Sequence, residues 1–188
     1  MLLTTLQPAP DPGRMARWAA SLRRGDGAAF EALFRALHPP LVRFAAGFVQ
    51  SGAEAEDLVQ EAFVRLWERR ADIDPTLSVR AWLYRTVRNR ALNQIRDRRR
   101  RADLLDAQPP RPTTTAAPDI ALEARALADR LRTLVAALPE RQREAFVLTR
   151  VEGLAHTEVA EVMGIAASTV NVHLVRALKA LRAGLADR

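Results

Sequence analysis

Residues 80–101 read R-A-W-L-Y-R-T-V-R-N-R-A-L-N-Q-I-R-D-R-R-R-R, nine Arg against a single acid, Asp97. The local charge is +8, where the whole chain carries +7. So dense a run of like charge cannot go into a core, because an unpaired charge taken out of water costs far more than packing returns. It can be held in a fold only if its apolar residues share one side. They do: Leu83, Tyr84, Val87, Ala91 and Ile95 recur at helical spacing. At about 100° per residue, Trp82, Arg85, Thr86, Asn89, Asn93 and Arg96 fall on the opposite face. The segment predicts an amphipathic helix anchored along one stripe, with a basic face suited to an anionic polymer. A Trp among Arg and Asn fits stacking on unpaired bases with the backbone neutralised beside it. The alternative is a solvated basic face with Trp82 tucked against a neighbouring helix. Arg98, Arg99, Arg100 and Arg101 suit a phosphate-binding helix end.

The charge is unevenly shared. Up to Arg101 the chain has 18 basic and 11 acidic residues; beyond it the counts are 11 and 11. That asymmetry favours two modules with different jobs. With no cysteine, disulfides, thiolate metal sites and cysteine nucleophiles are excluded. No apolar run approaches the ~18 residues of a membrane span, and the start M-L-L-T-T-L-Q-P-A-P lacks a basic n-region. A cytoplasmic protein without membrane insertion is expected.

Periodicity is helical throughout, with no strand alternation and no internal repeat. Residues 1–13, with three Pro and one Gly, read as a disordered tail. Phe30, Leu33, Phe34 and Leu37 mark a helix that His38-Pro39-Pro40 should break, with Leu41–Gln50 resuming it. Ser51 and Glu54 form a capping-box pattern ahead of a helix to about Arg70, with Leu58, Val59, Ala62, Phe63, Leu66 and Trp67 as its stripe. A loop, Ala71–Ser78, carries Asp72 and Asp74. Residues 102–120 hold four Pro and a Thr run and read as a linker. Fully extended they would reach roughly 60–68 Å. Beyond them come a helix over Ala121–Leu138, a second with Pro139 as its first residue and Glu140 in its first turn, ending near Glu152-Gly153, and two more over Thr157–Met163 and Thr169–Leu185.

The last two form a helix-turn-helix pattern. Thr157 is the expected cap of the first, whose inward residues are Val159, Ala160 and Met163. Gly164 supplies the turn, and Ser168 is the expected cap of the second. Val170, Leu174, Ala177 and Leu181 point inward. Ser168, Thr169, Val172, Arg176 and Lys179 point outward with His173 on the flank, an arrangement that fits a major groove. An αα-hairpin with a solvated outer face is the other reading. In the helix before the loop, Asp57, Gln60, Glu61 and Arg65 share the outward side, suited to solvent or to a protein partner. A metal-binding row of Glu54, Asp57 and Glu61 is disfavoured, since no His and no second carboxylate cluster accompany it.

The order D-L-V-Q-E-A-F-V-R-L-W, then A-W-L-Y-R-T-V-R-N-R-A-L-N-Q-I-R, then a Pro-rich linker, then L-P-E-R-Q-R-E-A-F-V-L-T-R-V-E-G-L-A-H-T-E-V-A-E-V-M-G-I-A-A-S-T-V-N-V-H-L-V-R-A-L resembles the bacterial sigma-70 family. More narrowly it resembles the small extracytoplasmic-function group, which keeps only regions 2 and 4. The resemblance implies an all-α protein of two helical domains, region 2 over 14–101 and region 4 over 121–188. It implies no catalytic residue, cofactor or metal of its own. Asp57, Gln60, Glu61 and Arg65 would dock on the β′ clamp coiled coil of core RNA polymerase, with the β flap as a further contact. Trp82, Arg85, Asn89, Asn93 and Arg96 would open and read the promoter −10 element, with Arg98, Arg99 and Arg100 on the backbone. The loop with Asp72 and Asp74 would capture a flipped base. Ser168, Thr169, Asn171, Val172, His173, Arg176 and Lys179 would read the −35 element. An anti-sigma factor is implied as regulator. Asn171-Val172-His173-Leu174 departs from the Lys/Arg-Ser-Arg of many members, and His173-Leu174 followed by Val175-Arg176-Ala177-Leu178 is similar to the iron-uptake branch.

The energetics suit such a task. Melting trades stacking of about 1.4 kcal/mol per step for base–aromatic contacts of about 1–3 kcal/mol each. Two rivals stand beside this reading. One is a self-sufficient helix-turn-helix regulator, which leaves the Asp57–Trp67 motif unexplained. The other is a Mg²⁺-dependent nucleic-acid-processing enzyme, which needs convergent acids that this pattern scatters.

Overall fold

The computed structural model describes residues 11–49, 51–74, 78–104 and 122–186. These are all-α, without a strand among them, and fall into two compact units, described separately below.

The first unit contains α1 (Pro12–Arg23), α2 (Gly27–Ala45), α3 (Gly52–Glu68) and α4 (Val79–Leu104). Residues 1–10 lie outside the described residues, but 11–13 are not tail: the Asp11 carboxylate accepts from the backbone N–H of Gly13 and Arg14 and caps α1, with Pro12 in the first turn. A Pro there loses nothing, because its missing N–H would have had no helical partner. Asp26 caps α2 in the same way through Ala28 and Ala29.

Helix α2 departs from expectation. It runs unbroken through Pro39 and Pro40. Each interior proline costs about 3 kcal/mol. Leu33, Leu37, Leu41, Phe44 and Ala45 straddle the pair and are all buried, and each large side chain among them returns roughly 1.5–3 kcal/mol. The apolar stripe therefore offsets the two lost hydrogen bonds and carries the helix across.

Helix α3 lays Leu58, Val59, Ala62, Phe63 and Leu66 into this core. Phe34 meets Phe63 at 4.8 Å between ring centroids, and Phe30 meets the Trp67 ring edge-on at 5.2 Å. Ser51 Oγ accepts from the Glu54 N–H at 3.2 Å. Only half of the capping box forms, because the Glu54 carboxylate turns instead to Arg98 at 2.7 Å. Helix α4 closes the unit with Leu83, Tyr84, Val87 and Ala91, all fully buried. The Tyr84 ring sits 5.1 Å from Phe44. The helix continues through 102–104, which the sequence pattern assigns to the linker; residues 105–120 lie outside the described residues.

The second unit contains α5 (Leu122–Ala137), α6 (Glu140–Phe146), a π-helical turn (Val147–Val151), α7 (His156–Met163) and α8 (Ala167–Ala186). Leu138, Ala177 and Leu181 form a core joined by Leu131, Leu134, Val135 and Phe146. Gly184 lets α8 approach α5: a Cβ there would run into Leu134, and its carbonyl accepts from Arg130 Nη2 at 2.8 Å. Pro139 is the residue before α6 rather than its first, with Glu140 opening the helix. Neither expected cap of the helix-turn-helix holds. The residue preceding α7 is Ala155, whose N–H donates to the Glu158 carboxylate at 2.9 Å, so Thr157 lies inside the helix. Ala166 precedes α8, its carbonyl accepting from Thr169 and Val170, which places Ser168 in the first turn. In both cases a backbone or neighbouring acid does the work that the hydroxyl pattern suggested.

Pro39 is exposed, so Pro39→Ala should restore a backbone bond without disturbing packing. The variant is expected to gain about 1–3 kcal/mol, read from urea unfolding of the full chain by circular dichroism. A lowered midpoint would mean that the core needs a bend set by the proline.

Candidate nucleic-acid interfaces and an acidic groove

Ser78 opens α4, its Oγ accepting from the Ala81 N–H at 3.3 Å. With the apolar stripe turned inward, Arg85, Asn89, Asn93 and Arg96 come out exposed along one side. Asn93 Oδ1 accepts from Arg96 Nη1 at 3.3 Å. Trp82 is half-buried at the head of this row, and its carbonyl accepts from Thr86 Oγ1 at 2.8 Å. The face expected from the periodicity thus exists as one surface, with Trp82 partly drawn toward the unit.

The nine arginines do not form one uniform field. Arg88 is buried, at 8% exposure, on the side of Tyr84 and Val87. Arg90 pairs with Glu61 and Arg98 with Glu54, both acids lying on α3. Arg80 holds its guanidinium 5.9 Å from the Tyr84 ring centre. Arg85, Arg96, Arg99, Arg100 and Arg101 are the exposed ones. Arg98, expected on a DNA backbone, is therefore already engaged.

On α3 the outward row is as expected: Asp57, Gln60, Glu61 and Arg65 are exposed. Together with Val64, Glu68 and Arg90 of α4 they line an open groove. Val64, 56% exposed, puts an apolar patch among the acids. The sequence pattern passes over Val64 and Arg90. The former could have been found from its place one turn beyond Gln60; the latter depends on a contact between helices that spacing does not encode. Asp72 and Asp74 are exposed on either side of buried Ile73, which pins the start of the loop; residues 75–77 lie outside the described residues. Glu54 and Glu61 each face an arginine, and among the described residues no three His, Asp or Glu converge.

In the second unit Gly164 adopts φ 65°, ψ 41°, the left-handed turn between α7 and α8. Val159 and Met163 are buried as expected, and Val162 joins them while Ala160 is half-buried. Val170, Leu174, Ala177 and Leu181 are all buried. Ser168, Asn171, Val172, Arg176 and Lys179 are exposed, Thr169 and His173 half-buried. The His173 Nδ1 is buried without a hydrogen-bond partner among the described residues. Val175, 56% exposed on the same outer side, is absent from the sequence-derived set.

A helical unit with a basic, aromatic-headed helix beside an acidic groove, and a second unit built on a helix-turn-helix with a basic outer face, suit a nucleic-acid-binding protein of two modules. Comparison with known proteins narrows the class. Residues 33–101 match the Sigma-70 region 2 model and residues 128–181 the Sigma-70, region 4 model. The chain is 32% identical over 181 residues to the ECF RNA polymerase sigma factor SigC of Mycobacterium tuberculosis, covering 93% of each. It is 30% identical to the RNA polymerase sigma factor CnrH of Cupriavidus metallidurans, covering 88% of this chain and 91% of that one. CnrH in complex with the cytosolic domain of CnrY superposes with a TM-score of 0.64 at 28% identity, over 93% of this chain and 99% of that one. The sigma factor RpoE of Bartonella quintana, in complex with the anti-sigma factor NepR, gives 0.68 at 25% identity, over 85% and 98%. This chain belongs to the extracytoplasmic-function sigma factors of the sigma-70 family, which are DNA-binding transcription initiation factors. Among the described residues no helix is long and apolar enough to cross a membrane.

The Glu61–Arg90 pair is a surface pair, with side chains 52% and 26% exposed. Water and salt screen such pairs, so Glu61→Ala should change stability by less than about 1 kcal/mol, measured by denaturant unfolding in 0.15 M salt. A larger loss would make Glu61 part of the scaffold.

Proposed function

We propose that this chain binds core RNA polymerase through the α3 groove, brings it to promoters whose −35 and −10 elements are read by α8 and α4, and helps melt the DNA. The observation that carries this is the exposed row Arg85, Asn89, Asn93 and Arg96, headed by half-buried Trp82, on a helix whose other face is fully packed. A row of donors with one aromatic plane at its end suits a strand whose bases have left the stack. Arg99 and Arg100 continue it along the backbone, and Arg98 would join by exchanging Glu54 for phosphate. Asp72 and Asp74 flank the loop that would receive a flipped base. Asp57, Gln60, Glu61 and Arg65 would meet the β′ clamp coiled coil, with Val64 as their apolar centre. The reaction chemistry would belong to the polymerase.

Regulation by an anti-sigma factor fits a chain similar to RpoE, solved with NepR. The iron-uptake assignment rests on the likeness of His173-Leu174-Val175-Arg176-Ala177-Leu178 alone, and a regulon that responds to iron supply would support it.

Run-off transcription with core polymerase over a broad promoter library tests the whole reading; no stimulation would sink it and favour a self-sufficient DNA-binding regulator. Within that assay, Gln60→Ala combined with Glu61→Ala should weaken core binding about tenfold or more, the loss of about 1.4 kcal/mol, with helicity intact; unchanged affinity would remove the groove from the interface. Trp82→Ala should lower open-complex formation more than closed-complex binding. Equal loss in both would leave Trp82 a packing residue.

A further inference from the structure

We infer that Val172 and Val175 read the 5-methyl groups of thymine, making α8 selective for thymine at two positions of the duplex it enters. The inference deepens the −35 assignment of α8 and rests on it.

Packing does not explain these two residues. The inward stripe of α8 is complete in Val170, Leu174, Ala177 and Leu181, yet Val172 is 45% and Val175 56% exposed. Nor does helix propensity, since β-branched side chains lose rotamer freedom in a helix and rank below alanine. The two valines lie one turn apart on the same side. Ser168, Asn171, Val172 and Val175 stand at i, i+3, i+4 and i+7, a spacing from which groove-reading helices reach base edges, and all four are exposed.

Charge identifies the occupant. Helix α8 carries Arg176, Lys179 and Arg182, all exposed, and no acid between Ala167 and Ala186. An apolar pair inside a basic border calls for a surface that is anionic at its edges and offers isolated apolar groups at its centre. The major groove does so at one base only, for thymine alone presents a methyl group there. Against any other edge a valine would strip water from donors and acceptors and return no hydrogen bond.

The test uses holoenzyme assembled from the full chain and core polymerase. Duplexes randomised over the upstream element are selected for binding, and the enriched duplex is resynthesised with deoxyuridine in place of each thymine in turn. Deoxyuridine keeps the pairing and groove hydrogen bonds and removes only the methyl. At two thymines a loss of about fourfold is expected, the effect of one buried methyl group. The loss at one should vanish in Val172→Ala and at the other in Val175→Ala. Both variants place alanine, the better helix former, at exposed helical positions, and an unfolding midpoint that does not fall would confirm the fold. A selected duplex indifferent to every deoxyuridine, or losses that persist in both variants, would overturn the inference and leave the −35 assignment standing. Valine variants that lose transcription without any methyl effect would assign the pair to a protein contact, which also overturns it. No enrichment at all would overturn the −35 assignment and the inference together.

Discussion

The seam between α4 and the helices beneath it is apolar. Leu83, Tyr84, Val87 and Ala91 are fully buried against α2 and α3. At roughly 1.5–3 kcal/mol for each large side chain, they outweigh the ion pairs beside them, which are worth at most about 1 kcal/mol each at the surface. The arginines are thus held in place by what lies behind them. Glu54 and Glu61 of α3 trim the repulsion by pairing with Arg98 and Arg90. They reduce the cost of a basic helix without being the reason that it packs.

This arrangement divides the arginines by role. Arg88 is drawn into the unit, Arg90 and Arg98 tie α4 to α3, and Arg85, Arg96 and Arg99–Arg101 face solvent. The acidic groove and the basic face therefore share a border at Glu61 and Arg90. The side chain that closes the groove belongs to the helix that carries the basic face.

The sequence was legible where the physics is periodic and local. The stripes of α3, α4 and α8 follow from spacing alone, and Gly164 follows from the need for a left-handed residue at a helix end. Expectation failed where a distant contact decides. Pro39 and Pro40 break an isolated helix, but α2 has a core to hold it together. Ser51 and Glu54 make a full capping box only if Glu54 has nothing better to bind, and Arg98, 44 residues away in the chain, is better. Thr157 and Ser168 suggest caps because hydroxyls often serve there, yet Glu158 and the Ala166 carbonyl already do so. In the site, Arg90 escaped notice for the same reason that the pairing of Arg98 with Glu54 did: a contact across helices leaves no mark in spacing. Val175 escaped because an exposed valine differs from a buried one only once the inward stripe is known to be full.

Burial along α4 ends at Ala91, with Ile95 half covered, while the helix continues to Leu104. Its final turns hold Arg96 and Arg98–Arg101 against two acids, Asp97 and Asp103. Short helices without a packed face are marginal in water, and like charges a turn apart weaken them further. The end of α4 is in effect a polyelectrolyte. Counterions around such a segment screen its repulsion, and a phosphate chain laid along it would do the same more fully.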